Sequence, residues 1–397
     1  MARRAETQQA LKAPGRSSST RYQFMLFGAV LLLVSMGLVA FAASRQDFSS
    51  SLDALIPQLL SRHDIPGAAV ALVCNGEVVW SRGYGYADLS RRRAVTDHTV
   101  FQVASLSKTV TAWGVMRLVE KGLLELDAPA ERYLTRWHLP ASRFDEDQVT
   151  IRRLLSHTAG LSLRGYPGFE PNRRLPSLEE SLSGNTGGSG DVHIVQRPGS
   201  EYSYSGGGYT LLQLVIEEVT GQVFSDFMMD EILSPLDMHE SAFEWTGSVK
   251  TATAVAYNSA MRPLPNYLFT AKAAAGLYST ARDYARFLAA CLAGPDGETP
   301  GRGVLSSDGV DLLTAPHQET DGQYGLGYGI GWLSTTSWYV RHSGGNNGWK
   351  SLFALVPSYR AGIVILFNSN NGGEVRYDVL DAWLEWIKAE RECECDT

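Results

Sequence analysis

Strand-forming segments lie near both ends of the chain, and this placement constrains the fold more than any other feature of the sequence. Gly67–Cys74 and Glu77–Gly85 are β-rich and flank an Asn-Gly pair, which is a strong hairpin-turn signal. Four more segments with this character follow one another in the last third of the chain: Gly329–Ser334, Ser337–His342, Ser351–Val356 and Gly362–Asn368. We expect these segments to form one antiparallel sheet.

Helical patterns occupy the middle of the chain. Apolar residues recur at helical spacing in four segments, which are Ser105 to about Lys121, Tyr209–Val219, Phe224–Leu233 and Ala281–Leu292. A last helix is predicted from Tyr377 to about Glu390. The sequence therefore predicts an α/β (α+β) fold, with an antiparallel sheet formed from both ends of the chain, flanked by helices, and a largely helical insertion.

The N-terminal region carries a separate signal. Phe24–Ala43 contains 20 residues without a charge, about the length needed to cross a bilayer core of roughly 30 Å. Residues 1–21 carry five basic side chains and one glutamate. This pattern predicts a cytoplasmic tail over 1–21, a transmembrane helix over 22–43 and an exported body, hence a single-pass membrane protein. A cleaved signal peptide is the alternative, because residues 40–42 read Ala-Phe-Ala, and the body would then be secreted.

Charge and composition exclude two classes of function. The formal net charge is −7, and residues 1–21 contribute +4, so the rest of the chain carries −11. An acidic body without basic clusters argues against nucleic-acid binding. The four cysteines and eight histidines show no zinc-site spacing, so we predict no metal and no cofactor. Cys393 and Cys395 lie in a charged tail over 391–397 and could pair or remain free.

Ser105 and Lys108 form a first candidate catalytic pair. They lie three positions apart at the start of a predicted helix, so their side chains share a helical face. A helix N-terminus also offers backbone N–H groups that stabilise a developing oxyanion. A desolvated lysine loses its proton more readily and can then act as a base. The pair alone is a weak signal, because a helix cap followed by a surface lysine explains it equally well.

Two further segments could contribute to a site. The Tyr-Ser-Gly segment at 204–206 precedes an apolar helix, where the hydroxyl of Tyr204 could carry a proton. The His-Ser-Gly segment at 342–344 is predicted to end a strand, and the glycine after it would let a substrate approach the backbone closely. Taken singly, Tyr204 and His342 are more often structural than catalytic.

In this order the three motifs resemble those of the serine β-lactamases and penicillin-binding proteins. The resemblance is greatest to the class C-like branch, which includes D,D-peptidases, D-aminopeptidases and β-lactamase-fold esterases. Neighbouring segments are similar as well: FQVASLSKTVTA at 101–112, LLSHTAGL at 154–161, PGSEYSYSGGGYTLLQ at 198–213, AAGLYSTARDYARF at 274–287 and RHSGGNNGWKS at 341–351. The resemblance covers about 48–390, which we take as the hydrolase domain.

The resemblance implies a role for each candidate residue. Ser105 would be the nucleophile, Lys108 its activating partner, and Tyr204 the proton shuttle to the leaving group. The oxyanion hole would be formed by the backbone N–H groups of Ser105 and Gly345. The substrate would also meet the residues of the second and third motifs: Gly206, His342, Ser343 and Gly344. The expected course is acylation of Ser105 and hydrolysis of the acyl-enzyme. The sequence leaves open whether Lys108 or Tyr204 is the base.

Two residues depart from the family pattern. Gly206 stands where the family commonly has Asn, which removes a side-chain amide that would hold a substrate amide. His342 stands where β-lactamases usually carry Lys. With an ordinary pKa near 6.5, His342 should lose its charge between pH 5.5 and 8, and its attraction for a substrate carboxylate should weaken as the pH rises. Efficient β-lactam hydrolysis is therefore less expected than ester or peptide hydrolysis.

The sequence thus predicts a membrane-tethered, extracytoplasmic serine hydrolase acting on an ester or on a peptide or amide of D-amino-acid type. Two alternatives stay open: a non-catalytic sensor or scaffold that binds penicillin or cell-wall fragments, and a true β-lactamase. An α/β-hydrolase is excluded, because no serine lies in a G-x-S-x-G frame. The expected partners are a small-molecule or peptide substrate and the membrane, and the oligomeric state is left open.

Overall fold

A computed structural model describes residues 48–184, 190–334 and 337–394, with side chains described as far as residue 389. The predicted tail 1–21, the predicted transmembrane segment 22–43 and the side chains of Cys393 and Cys395 lie outside this part of the chain. Among the described residues, no helix is both long enough and apolar enough to cross a membrane. The compact unit Ala54–Asp396 contains the whole sheet and the candidate site.

Eleven strands and eleven helices are described. The strands are β1 Gly67–Cys74, β2 Glu77–Asp88, β3 Arg93–Ala94, β4 Phe101–Gln102, β5 Ala256–Tyr257, β6 Pro263–Leu264, β7 Tyr278–Ser279, β8 Gly329–Trp332, β9 Trp338–Asn346, β10 Trp349–Val356 and β11 Ala361–Phe367. The helices are α1 over 48–62, α2 Ser107–Glu120, α3 Ile151–Ser156, α4 Leu178–Leu182, α5 Gly206–Thr220, α6 Phe224–Met228, α7 Gly247–Ala252, α8 Lys272–Ala275, α9 Ala281–Ala290, α10 Ser307–Thr314 and α11 Gly372–Glu394.

Seven strands form one antiparallel sheet in the order β3-β2-β1-β11-β10-β9-β8. The first and last strands of the predicted core meet at its centre, where Ala68 of β1 pairs with Phe367 of β11. The prediction of a mixed fold with an antiparallel sheet flanked by helices is therefore confirmed, including its construction from both ends of the chain.

Both faces of the central strands are buried, as their nearly continuous apolar sequences require. In β1, Ala69, Ala71 and Val73 point toward one large apolar core. That core includes residues of α9 and of α2, so these helices cover this face. The alternate residues of β1 point to the other face, where α11 packs on β10 and β11.

Two boundaries differ from the predictions. The strand β9 continues to Asn346, so the segment 342–344 lies inside the strand and the prediction that it ends a strand is wrong. The glycines at 344 and 345 carry no side chains, which removes the alternating pattern that would have revealed the continuation. The last helix, α11, begins at Gly372 and ends at Glu394, and so is longer at both ends than predicted.

Candidate active site

Ser105 lies on a tight turn between β4 and α2. The turn is a short 3₁₀ segment, Ala104–Leu106, in which Ala104 has a left-handed φ of 50°. A non-glycine residue rarely adopts this conformation, and such strain often marks a functional site. Ser107 holds the turn, because its hydroxyl donates to the Ala104 carbonyl at 2.6 Å and accepts from the Leu277 N–H at 2.9 Å. The side chain of Ser105 is left half-exposed.

Lys108 lies one turn further along and is 2% exposed. Its Nζ lies 3.3 Å from Ser105 Oγ and donates to the Ala274 carbonyl oxygen at 2.6 Å. Burial lowers the pKa of Lys108 to about 7, because a charged ammonium is poorly solvated there. A surface lysine following a helix cap is therefore excluded, and the pair is placed as the resemblance implies.

Tyr204 lies opposite the same pair, immediately before the cap of α5. Lys108 Nζ lies 5.0 Å from the centroid of the Tyr204 ring. Burial raises the pKa of Tyr204 to about 12, and a hydrogen bond with Ser105 offsets part of this rise. The phenol is therefore protonated at neutral pH, with its hydroxyl at the candidate nucleophile.

The ring of His157 packs against the ring of Tyr204. The two ring centroids are 4.3 Å apart, and Nδ1 of His157 accepts a hydrogen bond from the Ser205 N–H at 3.2 Å. Burial lowers the pKa of His157 well below its usual value, so the ring is neutral and its proton lies on Nε2. His157 itself has a left-handed φ of 59° at the end of α3.

His342 lies within β9 and is largely buried, although it contributes to the lining of the cleft described below. Burial, followed by the nearby Lys108, lowers the pKa of His342 to about 3. Its Nδ1 lies 2.9 Å from the carbonyl oxygen of Ser343, its own neighbour in the chain. The predicted titration of His342 between pH 5.5 and 8 is therefore wrong, because the ring stays neutral over that whole range. His342 does not supply a cation for a substrate carboxylate.

The next three residues of β9 approach the turn that carries Ser105. Ser343 is half-exposed and lines the cleft, whereas Gly344 is buried. A Cβ on Gly344 would lie 2.4 Å from the Val103 carbonyl oxygen, so only glycine permits this approach. Gly345 is exposed beside the turn. Because Gly345 is bonded to Gly344, the close approach of Gly344 to Val103 and Ala104 also brings the Gly345 backbone near the turn that carries Ser105.

Gly206 is the first residue of α5, and its surroundings explain the departure from the family pattern. A Cβ at this position would lie 2.9 Å from the Arg164 carbonyl oxygen and 3.3 Å from Gly165 Cα. The Gly206 N–H also donates to the Arg164 carbonyl at 3.2 Å. The space that an asparagine side chain would need is therefore filled by the backbone of 164–165.

A cleft of about 640 Å³ lies at this position, and Lys108, Gly206, Gly344 and Gly345 are not among the residues that line it. Its lining includes Ser105, Tyr204, His342 and Ser343 from the sequence-based prediction. It also includes residues that the sequence did not single out: Arg164, Tyr202, Ser203, Gln323, Tyr324, Gly329, Ile330, Arg341, Leu352 and Tyr377. The lining contains two arginines and no acidic side chain, although the body of the protein is acidic. Local charge of this kind cannot be derived from composition.

Possible metal ligands are not grouped in the described part of the chain. The described residues contain no group of three or more His, Cys, Asp or Glu side chains arranged to hold a metal ion. Cys291 is buried in α9's C-terminal turn, and Cys74 is half-buried at the end of β1. The chemistry available at the cleft is thus that of a serine, a lysine with a lowered pKa, a tyrosine and backbone N–H groups.

Two known proteins are similar to this chain in sequence. Protein flp of Staphylococcus aureus (strain MW2) is 25% identical over 337 residues, which cover 82% of this chain and 64% of that protein. The chain therefore spans less than two thirds of that relative. Esterase EstB of Burkholderia gladioli is 27% identical over 332 residues, covering 76% of this chain and 83% of EstB.

A solved structure shows the same fold. The octameric penicillin-binding protein homologue from Pyrococcus abyssi superposes with a TM-score of 0.67 at 25% identity, covering 81% of this chain and 74% of that one. The family model described as Beta-lactamase matches residues 52–385, which include every candidate site residue described above. The chain therefore belongs to the Beta-lactamase family, whose members are generally serine hydrolases.

Proposed function

We propose that this protein is a serine hydrolase that cleaves esters or amides through an acyl-enzyme on Ser105. The observation that carries the proposal is the 3.3 Å approach of Lys108 Nζ to Ser105 Oγ, made by a buried lysine whose pKa is lowered to about 7. A buried lysine of this kind spends a large fraction of its time as a neutral amine at physiological pH, so it can accept the serine proton.

The proposed acylation uses Ser105, Lys108, Tyr204 and two backbone N–H groups. Ser105 Oγ attacks the substrate carbonyl carbon while its proton passes to Lys108, and the carbonyl oxygen becomes an oxyanion. The backbone N–H groups of Ser105 and Gly345 bind that oxyanion. The bond to the leaving alcohol or amine then breaks as Tyr204 delivers a proton to the leaving atom, and the proton that Lys108 took from Ser105 passes to Tyr204, so that both groups return to their starting states. Water hydrolyses the ester on Ser105, releasing the acid and restoring the serine.

Lys108 is a better base for the first step than Tyr204. The pKa of Tyr204 is raised to about 12, so very little phenolate exists at neutral pH, whereas Lys108 is about half deprotonated at pH 7. Proton transfer is most efficient when the pKa of the base lies near the working pH. We therefore assign proton abstraction to Lys108 and proton delivery to Tyr204.

Two features of the cleft indicate which substrates it would accept. Arg164 and Arg341 provide positive charge without an acidic neighbour in the lining, which favours an anionic acyl or leaving group. The filled space at Gly206 removes the amide contact expected for β-lactams. We therefore propose small esters or D-amino-acid-type peptides as substrates, ahead of β-lactams. The name of the relative EstB, an esterase, agrees with the first class.

A hydrolysis panel tests the proposal. Residues 45–397 would be assayed with p-nitrophenyl acetate and butyrate, a D-Ala-D-Ala peptide and benzylpenicillin, beside the Ser105→Ala variant. Turnover of at least one substrate that is lost in Ser105→Ala supports the proposal. Folded wild-type protein that binds a panel member with no turnover would instead favour the sensor or scaffold function.

We also propose that the body is held outside the cytoplasm by the segment 22–43. The support is the 20-residue uncharged run and the basic residues before it. Membrane fractions of cells expressing the full chain would be compared with cells expressing residues 45–397, and intact cells or spheroplasts would be treated with protease. The proposal expects sedimentation with membranes and cleavage from outside. Full-length protein in the soluble fraction of lysed cells would contradict it.

A further inference from the structure

Arg376 of α11 contacts the strand that carries the third motif. Its Nη1 donates to the Gly344 carbonyl oxygen at 2.5 Å and to the Ser351 carbonyl oxygen at 3.0 Å. Gly344 of β9 and Ser351 of β10 are direct partners in the sheet register. One guanidinium nitrogen therefore bridges the carbonyl oxygens of two adjacent strands at this point.

This contact determines where the next N–H group points. Gly344 and Ser351 face each other across the sheet, and one nitrogen can reach both of their carbonyl oxygens only if these point into the space between β9 and β10. The Gly344 carbonyl oxygen therefore lies on the β10 side of β9. In a trans peptide the carbonyl oxygen and the following N–H lie on opposite sides. The Gly345 N–H therefore points away from β10. On that side β8 pairs with β9 from Trp338 to Arg341, and the turn carrying Ser105 packs beside the rest of the strand.

We propose that Arg376 is a positioning residue for the oxyanion hole: it fixes and polarises the Gly344–Gly345 peptide so that the Gly345 N–H is directed at the reacting carbonyl oxygen. The inference rests on the proposed hydrolase function. It adds a residue from α11, a helix that carries none of the three motifs.

Two physical effects support this role. A positive charge at the carbonyl end of a peptide polarises the group and strengthens its N–H as a donor. Donors stabilise an oxyanion most when they are fixed before the reaction. The opposite side of Gly344 is fixed as well, because Ser351 Oγ donates to the Val103 carbonyl at 2.7 Å. Ser351 therefore accepts from Arg376 through its carbonyl oxygen and holds the segment that leads to Ser105 through its hydroxyl.

A different role for Arg376 would be direct binding of a substrate carboxylate. The geometry disfavours it, because the side chain is not among those lining the cleft and Nη1 is engaged by two carbonyl oxygens. The two roles give different kinetics. A carboxylate-binding arginine acts mainly on the KM of anionic substrates, whereas an oxyanion-positioning arginine acts on the kcat of neutral ones.

The test compares Arg376→Met and Arg376→Lys with Arg302→Met. Arg302 is a matched control, because its Nη2 also donates to two backbone carbonyls, those of Gly76 and Ala289, away from the cleft. For each protein we would measure kcat and KM on a neutral ester, thermal unfolding, and the inhibition constant of an aryl boronic acid. A boronic acid forms a tetrahedral adduct with an active serine and so reports on oxyanion binding.

For Arg376→Met we expect kcat to fall by about tenfold or more, less than the 10²–10³ lost when an oxyanion donor is removed outright. KM should change less than about twofold, and boronate affinity should fall by the same factor as kcat/KM. Arg376→Lys should recover part of the loss, and Arg302→Met should leave kcat and boronate affinity unchanged.

An unchanged kcat in Arg376→Met would overturn the inference, as would a loss confined to the KM of anionic esters. If Arg376→Met does not fold, Arg376→Gln decides, because its amide N–H can still donate a hydrogen bond but carries no charge: wild-type kcat and boronate affinity in that variant would also overturn the inference. No turnover and no boronate inhibition in the wild type would instead contradict the proposed function.

Discussion

Lys108 Nζ and Ser105 Oγ lie 3.3 Å apart, and the lysine is almost wholly excluded from solvent. The ammonium form donates to the Ala274 carbonyl oxygen, and burial is what lowers its pKa. Burial without a counter-ion is what makes this lysine a base rather than a fixed cation.

The first prediction concerns the pH dependence of hydrolysis. Because the pKa of Lys108 is lowered to about 7, kcat/KM on a neutral ester should rise with pH and level off above about pH 8. The measurement is a pH–rate profile from pH 5 to 9. Lys108→Arg, which stays protonated over this range, should lose the rising limb and most of the activity. A flat wild-type profile would contradict the assignment of Lys108 as base.

A second prediction follows for stability. The folded pKa of Lys108 lies below its unfolded value, so the cost of burying the charge is fully present below about pH 7 and disappears as the pH rises toward 10. Lys108→Met removes this cost and should stabilise the protein at pH 6 by about 1–2 kcal/mol while abolishing hydrolysis. Thermal unfolding at pH 6 and pH 9 checks this. The gain should be smaller at pH 9, and a loss of stability at both pH values would contradict it.

Gly206 gives a third prediction. Gly206→Asn restores the residue common in the family, but its Cβ would lie 2.9 Å from the Arg164 carbonyl oxygen. We expect a loss of about 1–3 kcal/mol in unfolding free energy and no gain in benzylpenicillin hydrolysis. Gly208→Ala is the control in the same helical turn, because its Cβ would meet Leu154 at an ordinary 3.5 Å. Efficient penicillin turnover by Gly206→Asn would contradict this prediction, because it would require the backbone of 164–165 to move away from the new side chain.

His157 gives a fourth prediction. Asparagine tolerates the left-handed backbone and can accept from the Ser205 N–H, yet it lacks the ring that packs on Tyr204. We expect His157→Asn to fold, with unfolding free energy lowered by about 1–3 kcal/mol, and to lose kcat because Tyr204 is less constrained. Kinetics and thermal unfolding, run beside Tyr204→Phe, check this. Wild-type kcat in His157→Asn would limit His157 to a purely structural role.

Much of the fold was predictable because its signals are local. The Asn-Gly turn, the continuous apolar run of β1 and the three-residue spacing of Ser105 and Lys108 depend only on neighbouring residues. The hairpin and the adjacency of the Ser–Lys pair appear in the structure as expected. The order of the three motifs carried the family resemblance, and the family model confirms it.

The remaining features depend on contacts between distant parts of the chain. Arg376 reaches Gly344 across 32 positions, and the Arg164 carbonyl occupies the space beside Gly206. The burial of His342, which keeps it neutral, follows from packing of β9 against its neighbours rather than from its own sequence context. No periodicity or motif encodes these contacts, so the sequence predicted neither the neutral state of His342 nor the ten further residues that line the cleft.

The central claim is that Ser105 is an activated nucleophile, and covalent labelling tests it most directly. Residues 45–397 would be incubated with a fluorophosphonate probe, and adducts would be located by intact mass and peptide mapping, with Ser105→Ala and Lys108→Met run in parallel. The account predicts a single adduct on the peptide containing Ser105, absent in Ser105→Ala and much slower in Lys108→Met. Folded wild-type protein with no adduct, or with an adduct that persists in Ser105→Ala, would contradict it.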